Sequence, residues 1–183
     1  RSLDRIHIDP SPRQSVISII ARTKRLMAKQ RLSAVVVDYL QLIDTGRSKE
    51  KSRREEVDGL SRELKIAARE IGVPLIVLCQ LSRESERDAG PPKLSHFRES
   101  GAIEQDADNA LMLWRLQGMT IGCNVAKQRN GPTGIVCLNF DRDTQTYRDS
   151  GERYDWRKNK LVTESGEPVP PPEGDDRDGE LVW

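Results

Sequence analysis

Ala34-Val35-Val36-Val37-Asp38 sets the architecture: four apolar residues, three of them β-branched, run without a polar break and end on a carboxylate. A strand with one wet face alternates polar and apolar residues, whereas an uninterrupted run fits a strand buried on both faces of a parallel sheet. Val73 to Leu78 repeats the pattern, closing Leu75-Ile76-Val77-Leu78-Cys79 on Gln80. Between the two runs, Val57, Leu60, Leu64, Ala67, Ala68 and Ile71 share one face of a helix expected from Glu55 to Ile71, with Gly72 at its C-terminal cap. Upstream, Val16, Ile19, Ile20, Thr23, Leu26 and Met27 recur at helical spacing and predict a helix from Arg13 to Gln30. Ile6-His7-Ile8 before it is a short strand candidate. Downstream the pattern predicts a loop around Gly90-Pro91-Pro92, a short helix from Gly101 to Ala107 and a strand from Ala110 to Trp114. Strands at 121–127 and 134–140 flank Arg129-Asn130-Gly131-Pro132-Thr133-Gly134, a hairpin by its turn chemistry. The order predicts an α/β domain with a mainly parallel central sheet, flanking helices and a late β-hairpin.

The 183 residues suffice for one domain with a real core, 36% being apolar and 32% charged. No apolar run reaches the roughly 18 residues a spanning helix needs, and no secretory signal pattern opens the chain; a membrane partner is not expected. The opening residue is Arg1, not Met, which points to a truncated or processed product. Cys79, Cys123 and Cys137 fit neither zinc nor disulfide spacing and read as buried structural thiols in a reducing, intracellular setting. Charge is uneven. Residues 141–183 hold 7 Lys/Arg against 12 Asp/Glu, while the rest hold 23 against 17, so a mildly basic body carries an acidic tail. That balance permits a polyanionic partner for the body. Domain limits are drawn at 1–147 and 148–183, the latter an acidic Pro/Gly-rich tail read as disordered, above all over 164–180. Residues 44–54 are polar and read as a mobile loop.

Four places can carry chemistry. Asp38 ends its strand at the carboxyl edge of a parallel sheet, where α/β folds place ligands; the plain alternative is a cap or turn former. Gln80 lands at the same edge if the two strands are neighbours, and its amide can donate to a phosphate and accept from water. It reads equally as a solvent-facing strand end. Arg98 and the backbone N–H groups at Gly101, opening a helix, suit phosphate oxygens; a capped helix start is the simpler reading. Alternation puts Lys127 and Arg129 on one face of a strand at the tip of the hairpin, as paired cations or merely as an exposed basic turn.

Val36-Val37-Asp38-Tyr39-Leu40-Gln41-Leu42 and Val73-Pro74-Leu75-Ile76-Val77-Leu78-Cys79-Gln80-Leu81-Ser82-Arg83 resemble the DnaB replicative helicase family. Arg98-Glu99-Ser100-Gly101-Ala102-Ile103-Glu104-Gln105-Asp106-Ala107-Asp108 and Ala126-Lys127-Gln128-Arg129-Asn130-Gly131-Pro132-Thr133-Gly134 continue the likeness in the same order, over about residues 5–148. The resemblance implies part of a RecA-like P-loop NTPase domain, the C-terminal portion of a helicase motor. It implies ATP and magnesium as cofactors, with Asp38 as the Walker B aspartate holding magnesium through water. Gln80 becomes the γ-phosphate sensor. Lys127 and Arg129 become the pair that reaches the nucleotide of the adjacent subunit. Arg98, Glu99 and Gly101 match a central-channel loop that holds single-stranded DNA by its backbone, and the residues between Asp44 and Arg54 match a second channel-facing loop.

The implied parent is an ATP-dependent DNA helicase, a homo-hexamer that translocates on single-stranded DNA in a bacterial, plasmid or phage replisome in the cytoplasm, with primase and helicase loader as further partners. Departures from the family pattern limit this. No Gly-x-x-x-x-Gly-Lys-[Ser/Thr] occurs among the 183 residues, so the loop that cradles phosphates is lacking, as are the family's catalytic glutamate and its N-terminal collar domain. The isolated chain is expected to be inactive. At His96 the family shows an acidic residue; a histidine would make the loop's charge pH-dependent, against the plainer reading of one exposed side chain. The alternative from another class is a non-hydrolysing, helicase-derived adaptor or binding module. A RecA-like recombinase is disfavoured by the Asp-Tyr-Leu-Gln-Leu and Arg-Glu-Ser-Gly strings.

Overall fold

Two serines open the two long helices. Ser15 caps α1 (Val16–Met27), its hydroxyl accepting the Ser18 N–H at 3.2 Å. The helix therefore starts later than the expected Arg13, which takes a left-handed φ of 52°. Ser52 and Glu55 form a reciprocal capping box at the head of α2 (Arg53–Ile71), so this helix starts before the expected Glu55. Gly72, at φ 69°, ends α2 in the left-handed conformation that glycine adopts without penalty. The computed structural model describes residues 5–46, 52–82, 84–87, 90–97, 101–155 and 157–170.

The chain forms two compact units, Arg1–Leu81 with Phe97–Ala107, and Ser82–His96 with Asp108–Trp183. In the first, β1 (Val35–Val37) and β2 (Leu75–Val77) pair in parallel, Val36 opposite Ile76. One face of the pair, with Val37, Leu75 and Val77, packs on a core of Val16, Leu40, Ile43, Val57, Leu60, Leu64 and Ala67. A short helix, α4 (Gly101–Asp106), lies against α2 and adds Ile103 to that core. The expectation of strands buried on both faces is not met. Val36 is 60% and Ile76 52% exposed, with Leu78 beside them, because the helices of this unit cover one face. Ile6-His7-Ile8 forms no strand and is exposed; the short apolar alternation has no partner strand among the described residues.

The second unit contains a one-turn helix, α3 (Glu84–Arg87), and a four-stranded antiparallel sheet. Its strands β3 (Asn109–Arg115), β4 (Thr120–Gln128), β5 (Gly134–Asp141) and β6 (Thr146–Asp149) follow chain order. Met112 at its centre is 1% exposed, with Ala110, Ile121 and Cys137 also buried. The α/β class holds, but among the described residues the parallel part is one strand pair, and the antiparallel sheet exceeds the single hairpin expected. Regular pairing also continues into the 148–183 segment read as a disordered tail. There β7 (Arg153–Asp155) pairs with β8 (Lys160–Val162), and Leu161 and Val162 are buried. Its acidic residues act as turn formers. Asp149 accepts the N–H group of Gly151 and Asp155 those of Arg157 and Lys158, just as Asp141, ahead of the segment, accepts those of Asp143 and Thr144. Residues 171–183, which include most of 164–180, lie outside the described ones.

Candidate functional site

Asp38 directly follows β1, and Gln80 comes three residues after β2; both are exposed. Parallel pairing of β1 with β2 brings them to one carboxyl edge of neighbouring strands, as the Gln80 reading required. The pairing is carried past the strands by Leu78 N–H to the Val37 carbonyl (3.0 Å) and Leu40 N–H to the Leu78 carbonyl (2.8 Å). The Asp38–Tyr39 peptide is cis. Gln41 is a further member that the sequence reading passed over. Its Nε2 donates to the Gln80 carbonyl at 3.3 Å and lies 3.5 Å from Cys79 Sγ, tying the turn after Asp38 to the end of the other strand. Its Oε1 is enclosed without a partner. The signal was present: Gln41 is the one amide in an otherwise apolar Tyr-Leu-Gln-Leu turn, where a buried polar group needs a structural reason.

A single carboxylate at an open sheet edge fits magnesium, which takes oxygen ligands and keeps several waters. Among the described residues no three His, Cys, Asp or Glu side chains converge on a cation position, so an ion at Asp38 would complete its shell with water and phosphate oxygens. Gln80 carries an amide at the same sheet edge.

Lys127 and Arg129 belong to the second unit. The register of β4 on β3 jumps from Leu111–Val125 to Ala110–Lys127, so Ala126 is the extra residue of a bulge. Bulges re-aim the side chains that follow them. Beyond it the ladder is regular, with Asn109 opposite Gln128 and Arg129 N–H on the Asp108 carbonyl at 3.0 Å. Lys127 is thus the penultimate residue of β4 and Arg129 the first residue of the turn beyond it. Arg129 Nε stands 3.5 Å from Asp108 Oδ1, with both side chains about half exposed; such a pair contributes little to stability.

Gly101 opens α4 and is exposed, while Arg98 and Glu99 lie outside the described residues. So do 47–51 of the 44–54 loop, whose end is the cap and first turn of α2. His96 corrects an expectation: it is 5% exposed, not a solvated side chain. Its Nδ1 accepts the Lys93 N–H at 3.1 Å, and its carbonyl accepts the Ser82 N–H at 2.9 Å. The cysteines are unpaired, Cys137 buried and Cys79 and Cys123 half-buried. Burial pushes all three thiols up, Cys137 to about 11, which fits inert packing roles.

Residues 2–149 match the model of the DnaB-like helicase C terminal domain. The replicative DNA helicase DnaB of Geobacillus stearothermophilus is 44% identical over 160 residues, a match covering 82% of this chain and 35% of the relative. The replicative DNA helicase DnaC of Bacillus subtilis (strain 168) is 43% identical, with the same coverage. Among solved structures, an ATPase domain superimposes with a TM-score of 0.69 at 36% identity, covering 74% of this chain and 51% of that one. A DnaB-like replicative helicase, solved to show its interactions with primase, gives 0.68 at 36% identity, covering 73% and 35%. The chain spans about a third of the length of the curated relatives it matches.

Proposed function

The chain belongs to the family of DnaB-like helicase C-terminal domains, with a RecA-like α/β fold, and from that premise we propose that it is the later part of the motor of an ATP-dependent replicative DNA helicase. The observation that carries this reading is the parallel pairing that sets Asp38 and Gln80 at one sheet edge. In the intact motor, Asp38 holds magnesium through water and Gln80 donates its amide to the terminal phosphate of ATP. Bound magnesium-ATP supplies the phosphoryl bond whose cleavage drives the motor. Gln41 keeps the two strand ends at a fixed separation, so a change at Gln80 reaches the turn after Asp38. Lys127 and Arg129 complete the nucleotide site of the next subunit, which makes hydrolysis depend on assembly of a homo-hexamer. Arg98, Glu99 and the N–H groups at Gly101 grip the backbone of single-stranded DNA, giving salt-sensitive binding without base recognition. Residues 44–54 face the same channel. Primase and a helicase loader are its replisome partners, and the cytoplasm is its compartment.

The apolar outer face formed by Val36 and Ile76 supports a motor completed by further chain, as in the longer relatives. The same face would suit a helicase-derived adaptor that joins a ring without hydrolysing ATP. The two readings part on one experiment. Arg129→Ala in the full-length protein is expected to cut DNA-stimulated ATP hydrolysis by about 10³-fold, in the range found for arginine fingers. Unchanged hydrolysis would remove the trans role, and an unmodified full-length protein without ATPase activity would favour the adaptor.

A further inference from the structure

Residues 82–96 lead from Gln80, beyond the end of β2, to the channel loop proposed above, and their described stretch 90–96 is tied at three places within the second unit. At the neck, the Ser82 N–H donates to the His96 carbonyl at 2.9 Å, while Lys93 N–H donates to the buried His96 ring at 3.1 Å. On the sheet side, Asn124 Nδ2 of β4 donates to the Pro92 carbonyl at 2.8 Å. At Gly90, where φ is 117°, a Cβ would stand 3.6 Å from Asn159 Oδ1 and 3.8 Å from Tyr154 Oη. The backbone at Gly90 therefore runs directly under the β7–β8 hairpin.

That hairpin lies beyond residue 149, where the family match ends, yet it is firmly seated. Tyr154 meets Trp114 edge-on with ring centroids 5.7 Å apart, Thr120 Oγ1 donates to Glu152 at 3.3 Å, and Leu161 and Val162 are buried. The Tyr154 hydroxyl donates to Asn159 Oδ1, which fixes the two groups that face Gly90. We propose that the β7–β8 hairpin is a brace for residues 90–96, with Tyr154 and Asn159 as positioning residues for the DNA grip of the channel loop. The physical effect is preorganisation: a segment held before DNA arrives loses less conformational freedom on binding. The link to DNA rests on the motor reading above; the bracing itself does not.

The test uses the full-length protein with Tyr154→Phe, which keeps the ring on Trp114 and removes the hydroxyl, and Asn159→Gly, which suits the positive φ there and removes Oδ1. Two quantities are read: the single-stranded DNA concentration that half-maximally stimulates hydrolysis, and hydrogen exchange over 90–96. The double variant should need about three- to tenfold more DNA, the order expected when a segment pre-ordered by packing against the hairpin becomes freer. Its maximal rate should stay unchanged, and exchange should rise in 90–96 but not in β3–β6. Unchanged exchange in 90–96 overturns the brace. Exchange rising throughout β3–β6 with a fallen maximal rate also overturns it, as a general structural effect. If the unmodified protein shows no DNA stimulation, the motor reading fails, while the exchange result still decides the brace.

Discussion

In the first unit, β1 and β2 are parallel neighbours separated in sequence by the whole of α2, and they bury one face while leaving Val36 and Ile76 open. In the second, β3 to β6 follow one another through short turns and gather Met112 and Cys137 into a core of their own. The second sheet also exposes Leu111, Leu113 and Val136, but an antiparallel sheet commonly faces water on one side and a parallel one does not. The same kind of exposure therefore means different things in the two units. The half that carries Asp38 and Gln80 leaves one face of its parallel pair uncovered by its own helices, whereas the half that carries Lys127 and Arg129 is built from local connections.

The largest effect that can break this comparison is in the second core. Met112→Ala is expected to cost about 2–5 kcal/mol in urea unfolding, since a fully enclosed side chain leaves a cavity. A loss below about 1 kcal/mol would mean that the sheet does not close its own core. Thiol chemistry sharpens the contrast next. Cys137 is raised from 9.0 to about 11 by burial first and by Glu152 and Asp149 second, while the burial that raises Cys79 is partly offset by its Gln41 hydrogen bond. Cys79 should thus react faster than Cys137 with a disulfide reagent at mildly alkaline pH. A folded-state value above the unfolded one means that the folded chain holds the proton more tightly. The associated stability is intact below pH 9.0 and lost as pH rises toward about 11, and Cys137→Ala should flatten that fall in the urea midpoint. The smallest effect belongs to the open face: Val36→Thr with Ile76→Thr should change the stability of this chain by no more than about 0.5 kcal/mol. The same pair in the full-length protein should cost more than about 1 kcal/mol if further chain covers the face.

Much of the first unit was legible because its signals are strong and local. Val57, Leu60, Leu64 and Ala67 do line the buried face of α2, and the two apolar runs do become parallel neighbours. The hairpin was legible for the same reason, its Asn130-Gly131-Pro132 turn standing between the stretches that become β4 and β5. Exposure of Val36 was not, since an apolar run reports what a strand is suited to, not what covers it. Strands β6 to β8 escaped because their aspartates serve the turns, and acidity in a Gly-containing stretch looks the same whether it caps a turn or solvates a tail. That Asp38 and Gln80 follow neighbouring strands was readable from the two apolar runs that precede them. Gln41 needed the partner strand, and the burial of His96 needed the Ser82–His96 neck, neither of which spacing can supply.

The central claim, that the edge shared by Asp38 and Gln80 is the nucleotide site of a DNA-driven motor, is tested most directly by ATP hydrolysis in the full-length protein, with and without single-stranded DNA, before and after Asp38→Asn. Hydrolysis should be stimulated by DNA and reduced by Asp38→Asn about 10²-fold or more, the order expected when one charged stabilising contact of the reaction is removed. Hydrolysis left intact by Asp38→Asn would contradict that claim.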